Sequence, residues 1–163
     1  MNDYILVVVD MQPFFTRNRK LIARIKQEVL TARQRNLPIV FLEIPHHEPE
    51  PEKPYPPTYK SILKLVEGYD RAHVVTKFGE DGSQKVLRVC RENGYPVNDR
   101  FRVCGVNTDL CVRKTVKGLL GRSQAIIDVP RSACDTIPKM RKFCWAKFPI
   151  SPRVRLLDDE VAA

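Results

Sequence analysis

Three residues whose side chains can act as nucleophile, acid or base directly follow predicted strands. Asp10 ends the first apolar run, Lys77 follows the third, and Cys111 lies just after the fourth, in the segment VCGVNTDLCVRKT (103–115). A thiol at the N-terminus of a helix experiences the positive end of the helix dipole, which lowers its pKa, and a nearby lysine lowers that pKa further. A carboxylate beside both can accept the thiol proton and return it later. Because ligands bind at the carboxyl ends of the strands in open parallel sheets, this arrangement predicts nucleophilic cysteine chemistry.

Each of these residues also has an ordinary structural interpretation. Taken alone, Cys111 is more often a buried, inert thiol, Asp10 a strand-end or capping residue, and Lys77 a surface lysine. The five cysteines are odd in number, and Cys104 and Cys111 do not form a CxxC motif. This pattern favours free thiols in a reducing compartment over a zinc site or a disulfide. We expect Cys104 to belong to the core, and we expect no cofactor.

Length and composition indicate one ordinary globular domain. The 163 residues are 43% hydrophobic and 29% charged, and no apolar run approaches the roughly 18 residues that a membrane span needs. The acidic Asp3 precedes the first apolar run, where a secretory signal would carry basic residues. We therefore expect a cytoplasmic protein without a membrane partner.

The net charge of +9 results from 28 Lys and Arg residues against 19 Asp and Glu residues. Such a charge is compatible with nucleic acid, an acidic surface or an anionic small substrate as a partner. The basic residues are scattered along the chain and no nucleic-acid-binding signature interleaves them. We interpret them as a solvated basic surface, and a nucleic-acid partner is not expected.

Strand-like and helix-like segments alternate along the chain, which predicts an open parallel α/β sheet in one domain. Apolar runs predict strands over 4–10, 38–44, 73–76, 101–106, 124–129 and 153–157. Helical spacing predicts one helix with the stripe Leu21, Ile25, Val29 and Ala32. A short helix is expected over 61–66, and others over 83–94, 111–120 and 135–144. In the last three, Ser83 and Asp135 are the expected N-caps, and Gly94 and Gly121 the expected ends. Prolines throughout 45–57 predict a loop without regular structure.

Three sequence features together resemble the isochorismatase-like cysteine hydrolases, the group that includes nicotinamidases. They are DMQ at 10–12, Lys77 opening a loop after a strand, and GVNTDLCVRKT at 105–115. The resemblance implies a three-layer α/β fold: a doubly wound, mostly parallel six-stranded sheet with helices on both faces. It also implies that 1–163 form a single isochorismatase-like hydrolase domain, and that the protein assembles as a homo-oligomer, a dimer or tetramer.

The resemblance implies a catalytic triad of Asp10, Lys77 and Cys111. Cys111 would attack a carbonyl carbon, Asp10 would shuttle the proton, and Lys77 would lower the thiol pKa. A cis peptide bond is implied just before the nucleophile turn, at 106–107. An isochorismatase itself acts on a vinyl ether and often lacks the cysteine. The presence of Cys111 therefore favours cleavage of a C–N bond in a small amide-type substrate, through a thioester-type intermediate.

Five further residues are implied to bind substrate or to surround the oxyanion: Gln12, Phe15, Val106, Asn107 and Leu110. At the helix start, the backbone amides of Leu110 and Cys111 are the expected oxyanion donors. Gln12 could line the pocket or satisfy only the backbone of its loop. Phe15 is as compatible with the core as with a substrate wall.

A metal site is not expected, although three residues are weak candidates for one. Relatives that hydrolyse nicotinamide usually bind a metal through an Asp-x-His motif after the second strand. Here that segment reads EIPHHE (43–48), without the motif. Adjacent histidines point in different directions along an extended chain. Glu43, His46 and His47 are the residues of this segment that could still bind a metal. Because they lack the motif, the enzyme is expected to need no metal.

The segment FGEDGS (78–83), directly after Lys77, also departs from the family pattern. This departure leaves an alternative open. The protein would then be a catalytically inactive or binding-only member that uses its basic surface to hold an anionic partner such as nucleic acid. Binding through phosphates would weaken steeply with added salt, which distinguishes the two hypotheses.

Overall fold

The computed structural model describes residues 2–159, and its main sheet is parallel. In chain order the strands are β1 (Ile5–Val9), β2 (Ile39–Glu43), β3 (His46–His47), β4 (Glu50–Pro54), β5 (Ala72–Thr76), β6 (Arg100–Val106), β7 (Ile126–Pro130), β8 (Cys134–Asp135) and β9 (Val154–Leu157). Six of them form the parallel order β5-β2-β1-β6-β7-β9, and the two-residue β8 adds to the end of β6. The predicted mostly parallel six-stranded sheet is confirmed.

Helices cover both faces of this sheet, as predicted. They are α1 (Arg19–Gln34), α2 (Lys60–Leu63), α3 (Ser83–Glu92) and α4 (Arg113–Arg122). One apolar cluster joins the sheet to α1 and α2, and a second joins the opposite face to α3 and α4. All five residues of β1 are buried, as expected for a central strand covered on both faces. Among residues 2–159, no helix is long and apolar enough to cross a membrane.

The predicted apolar stripe on α1 is confirmed. Leu21, Ile25, Val29 and Ala32 are all buried. Asn18 begins the helix, and its side chain accepts hydrogen bonds from the backbone N–H groups of Lys20 and Leu21. Such a cap satisfies donors that the first turn of a helix leaves unpaired.

Chain order reverses beside β1, and this reversal positions the candidate site. β2 and β5 lie on one side of β1, whereas β6, β7 and β9 lie on the other. The carboxyl ends of β1 and β6 therefore border the crevice in which open α/β sheets bind ligands. Gly105 of β6 has φ 120°, and a Cβ atom there would lie 2.2 Å from the carbonyl oxygen of Val9. Glycine is therefore what allows the two backbones to approach so closely at this point.

Two expectations about local structure were wrong, and in both cases proline explains the difference. The proline-rich segment contains a two-stranded antiparallel pair, β3 with β4, because proline is tolerated where a strand needs no donor on its solvent side. The helix expected from Asp135 does not form. Pro138 forces the preceding Ile137 into extended backbone (ψ 143°), so only a short 3₁₀ turn at Pro138–Met140 follows.

Two helix boundaries also differ slightly from the expected ones. The N-cap of α3 is Gly82 rather than Ser83, and the side chain of Asp81 accepts the backbone N–H of Ser83. Before α4 the chain forms a π-helical turn over Thr108–Val112, and α4 continues through Gly121 to Arg122.

Candidate active site

The structure brings Asp10, Lys77 and Cys111 together in one buried cluster. The Nζ atom of Lys77 lies 3.1 Å from Oδ2 of Asp10 and 3.4 Å from Sγ of Cys111. The exposed fractions of Asp10, Lys77 and Cys111 are 2%, 1% and 7%. Three separate strands, β1, β5 and β6, deliver them to the same edge of the sheet. The ammonium group thus bridges a carboxylate and a thiol away from bulk water.

Asp10 is a buried carboxylate in an uncommon backbone conformation. Its φ of 50° places it in the left-handed region, which aspartate tolerates better than most residues. Burial raises the pKa of the Asp10 carboxyl, and the positive charge of Lys77 opposes that rise. A carboxylate with a raised pKa accepts a proton more readily than an exposed one.

The expected lowering of the Cys111 pKa is wrong. Burial, followed by the negative charge of Asp10, raises the pKa of the Cys111 thiol to about 12, and Lys77 only partly opposes this rise. Removing the sulfur from water disfavours the thiolate more than the ammonium of Lys77 favours it. A thiol with a raised pKa needs a base to become a nucleophile.

The turn that carries Cys111 is held by its own backbone. The peptide bond between Val106 and Asn107 is cis. The carbonyl oxygen of Asn107 accepts hydrogen bonds from the amides of Leu110 and Val112, both at 3.1 Å. The amide of Leu110, expected to face an oxyanion, is thus engaged inside the turn. Val106 is 1% exposed, so its side chain belongs to the core rather than to a substrate surface.

Gln12 holds the neighbouring loops together. Its Nε2 donates to the carbonyl oxygens of Ile44 and Pro56, at 2.8 and 3.0 Å, and its Oε1 accepts the amide of Ile44 at 2.8 Å. Because Gln12 is 1% exposed and its amide contacts only backbone, the structure favours the loop-holding role over the pocket-lining one. Phe15 is partly buried beside the core and meets Phe14 and Tyr55 edge-on. Its contact with substrate stays a prediction.

The weak metal candidates do not converge. The carboxylate of Glu43 accepts the backbone N–H of Thr58 at 2.6 Å in a buried position. His47 contacts the hydroxyl of Tyr55 at 2.8 Å, and Nδ1 of His46 lies 3.3 Å from the carbonyl oxygen of His47. Within residues 2–159, no three His, Cys, Asp or Glu side chains are grouped so that they could hold a metal ion. The residues present therefore do not fit the metal that some relatives carry.

Two groups that contact the cluster or its loop were not predicted from the sequence. The carbonyl oxygen of Gly79 accepts a hydrogen bond from Nζ of Lys77 at 2.9 Å. Because this acceptor is a backbone atom, which every residue has, the sequence could not indicate it. Thr115 is fully buried and contacts the loop after Lys77. Its signal was its position at the end of the motif GVNTDLCVRKT, to which no separate role had been assigned.

Comparison with known proteins found a matching family model and several similar solved structures. The family model described as the isochorismatase domain matches residues 4–142. Similar solved structures include the nicotinamidase SaPncA from Staphylococcus aureus, with 20% identity, 96% of this chain and 98% of that chain covered, and a TM-score of 0.75. The pyrazinamidase of Pyrococcus horikoshii in complex with zinc has 20% identity, 97% and 100% coverage, and a TM-score of 0.69.

A third similar structure is the YcaC gene product of Escherichia coli, an octameric hydrolase of unknown specificity. It has 16% identity, covers 96% of this chain and 75% of its own, and gives a TM-score of 0.70. No match was found among curated protein sequences. At identities this low, the structural likenesses show a shared fold.

Proposed function

Because the chain belongs to the isochorismatase family of hydrolases, we propose that it is a cysteine amidase that cleaves the C–N bond of a small amide. The observation that carries this proposal is the buried bridge from Asp10 through the Lys77 ammonium to the Cys111 thiol. A nucleophile, a base and a fixed positive charge are the parts that covalent amide hydrolysis requires.

In the first half of the proposed reaction, Cys111 Sγ forms a bond to the carbonyl carbon of the amide as its proton passes to Asp10. The helix-start amide of Cys111 is the remaining candidate donor for the oxyanion, since that of Leu110 binds Asn107. Asp10 then donates the proton to the amide nitrogen as the C–N bond breaks. The amine leaves, and the acyl group stays on Cys111 as a thioester.

In the second half, water attacks the thioester carbon and gives a proton to the Asp10 carboxylate. The C–S bond breaks, the acid is released, and the proton returns from Asp10 to the sulfur of Cys111. Lys77 keeps its charge throughout and stabilises negative charge first on Asp10 and then on sulfur. Asp10 is again a carboxylate at the end of each half, so this sequence of steps requires no metal ion.

The direct test is a screen for ammonia release from small carboxamides, including nicotinamide, pyrazinamide and short aliphatic amides. We expect turnover of at least one of them, unchanged by added zinc or by EDTA because Glu43, His46 and His47 do not form a ligand set. Ammonia release that appears only with zinc would contradict the metal-free mechanism. A complete lack of turnover across the panel would contradict the amidase assignment.

The pH dependence of kcat/KM should report Asp10. The base must be ionised to accept the thiol proton, and burial raises its pKa. The rate is therefore expected to fall as pH decreases through a value above the ordinary carboxyl range of about 3.9. Rates measured from pH 4 to 10 would locate this limb. A rate that instead rises with the slope of a thiol ionisation near pH 8 to 9 would show that Cys111 reacts as a preformed thiolate.

We further propose that the protein acts in the cytoplasm on a small molecule, as a homo-oligomer. The E. coli YcaC product is octameric, and a dimer or tetramer stays our prediction for this chain. All five cysteines are free thiols, which supports a reducing compartment.

A further inference from the structure

The ammonium of Lys77 has three acceptors, and one of them lies in the segment that departs from the family. An ammonium group carries three N–H donors. At Lys77 these are directed to Oδ2 of Asp10, Sγ of Cys111 and the carbonyl oxygen of Gly79. Because Lys77 is 1% exposed, water does not compete for these donors. The position of Gly79 therefore helps to set where the ammonium points.

The loop formed by residues 78–83, called the lysine loop below, is attached to one face of α4. The hydroxyl of Thr115 accepts the backbone N–H of Gly82 at 3.0 Å and donates to the carbonyl oxygen of Glu80 at 3.5 Å. Further along the helix, Arg122 donates to the carboxylate of Asp81 at 3.2 Å. Thr115 is the fully buried member of this attachment, so its hydrogen bonds are shielded from water.

Close packing makes the position of the lysine loop depend on these contacts. A Cβ atom on Gly82 would lie 2.4 Å from Cδ1 of Leu42 and 3.1 Å from Cδ of Lys77. On the helix side, a Cβ atom on Gly118 would lie 2.2 Å from Oγ of Ser83. The loop thus packs directly against the stem of Lys77, and a shift of the loop moves the lysine.

We propose that Thr115 is a positioning residue for Lys77, acting through the backbone of the lysine loop. This inference rests on the proposed function and adds to it a fourth residue, which lies one turn after Cys111. Helix α4 begins directly after the turn that carries the nucleophile, and it also carries the anchor of the lysine loop. One rigid element therefore sets the distance between the thiol and the ammonium.

The test is the rate at which iodoacetamide alkylates Cys111 at pH 9, followed by mass spectrometry of the Cys111 peptide. Lys77 lowers the pKa of this thiol, so displacing the ammonium reduces the thiolate fraction. Thr115→Val keeps the shape of the side chain but removes its hydrogen bonds. It should slow labelling about tenfold, which corresponds to a rise of about one unit in the thiol pKa. Thr115→Ser retains the hydroxyl and should stay within about twofold of the wild-type rate.

The matched control is Ser123→Ala, at the other end of α4. The hydroxyl of Ser123 is also buried and donates to the carbonyl oxygen of Leu119 at 2.8 Å, so its loss removes a comparable hydrogen bond far from the site. Labelling of Cys111 in this variant should match the wild type. Equal slowing in Thr115→Val and Ser123→Ala, or wild-type labelling in Thr115→Val, would overturn the proposal.

A second variant and a second measurement keep the inference testable. If Thr115→Val does not fold, Asp81→Ala loosens the same loop from its exposed side and should slow labelling in the same direction. If labelling in Asp81→Ala is not slowed, the proposal is contradicted.

In an active enzyme, Thr115→Val should lower kcat with little change in KM. The acidic side of its pH–rate profile should also shift to higher pH, since Lys77 also opposes the raised pKa of Asp10. A protein that hydrolyses no amide yet shows these labelling rates would refute the amidase function and leave the positioning role standing.

Discussion

Replacing Cys111 with alanine is expected to lower turnover by at least about 10⁴-fold, since loss of a covalent nucleophile removes the reaction path rather than slowing one step of it. The fold should survive, because alanine fits where a small buried thiol stood. Steady-state ammonia release and the thermal midpoint of unfolding measure the two effects separately. Activity retained in Cys111→Ala would rule out covalent catalysis by this residue.

The matched control is Cys104→Ala. Cys104 is also fully buried, with its Sγ 3.6 Å from the carbonyl oxygen of Val7, so its truncation leaves a similar small cavity. We expect a modest loss of stability and a turnover close to that of the wild type.

Rapid quenching of the wild type with substrate should reveal the added mass of an acyl group on the Cys111 peptide. An acyl group on another cysteine would reassign the nucleophile.

Replacing Lys77 with methionine is expected to damage both catalysis and folding. Removing one partner of a buried ion pair leaves the other charge uncompensated, which typically costs about 3–5 kcal/mol. Here the group left behind is the Asp10 carboxylate, which is 2% exposed. Turnover should fall by at least about 10²-fold, because no positive charge then stabilises the thiolate that leaves in the second half of the reaction. Denaturant unfolding and steady-state kinetics measure the two losses.

The stability of Lys77→Met should decrease as pH rises. The pKa of Asp10 is already raised in the folded wild type, and Lys77 opposes that rise, so the variant raises it further. A folded state that holds a proton more tightly than the unfolded chain loses stability as pH rises from the unfolded pKa of about 3.9 through the raised folded value. The variant should therefore be less destabilised at pH 5 than at pH 8.

Two comparison variants separate the effect of the unpaired Asp10 charge from a general effect of losing a lysine. Adding Asp10→Asn to Lys77→Met removes the orphaned charge, so stability should recover in part while activity stays absent. Lys117→Met replaces an exposed lysine of α4 and should change neither quantity by much, because exposed charges contribute little. A Lys77→Met protein with a flat stability profile from pH 5 to 8 would contradict the buried ion-pair interpretation.

Order along the chain was sufficient to predict which side chains would meet. Asp10, Lys77 and Cys111 each follow a predicted strand, and carboxyl ends of parallel strands share one edge of the sheet. Periodicity likewise predicted α1 from its apolar stripe. The exceptions were local. Pro138 prevented the helix that Asp135 had been expected to cap, and a paired β3–β4 formed where prolines had indicated a loop.

The identity and order of the reactive groups follow from the sequence, because residue type and position along the chain are its own properties. The direction in which the pKa of Cys111 shifts depends on the tertiary structure. Burial is a sum over residues distant in sequence, and at Cys111 it outweighs the effect of the lysine that the sequence displays. The third acceptor of Lys77 was decided in the same way. Gly79 contributes a backbone carbonyl, which every residue has, and only the packing of the lysine loop on α4 aims it at the ammonium.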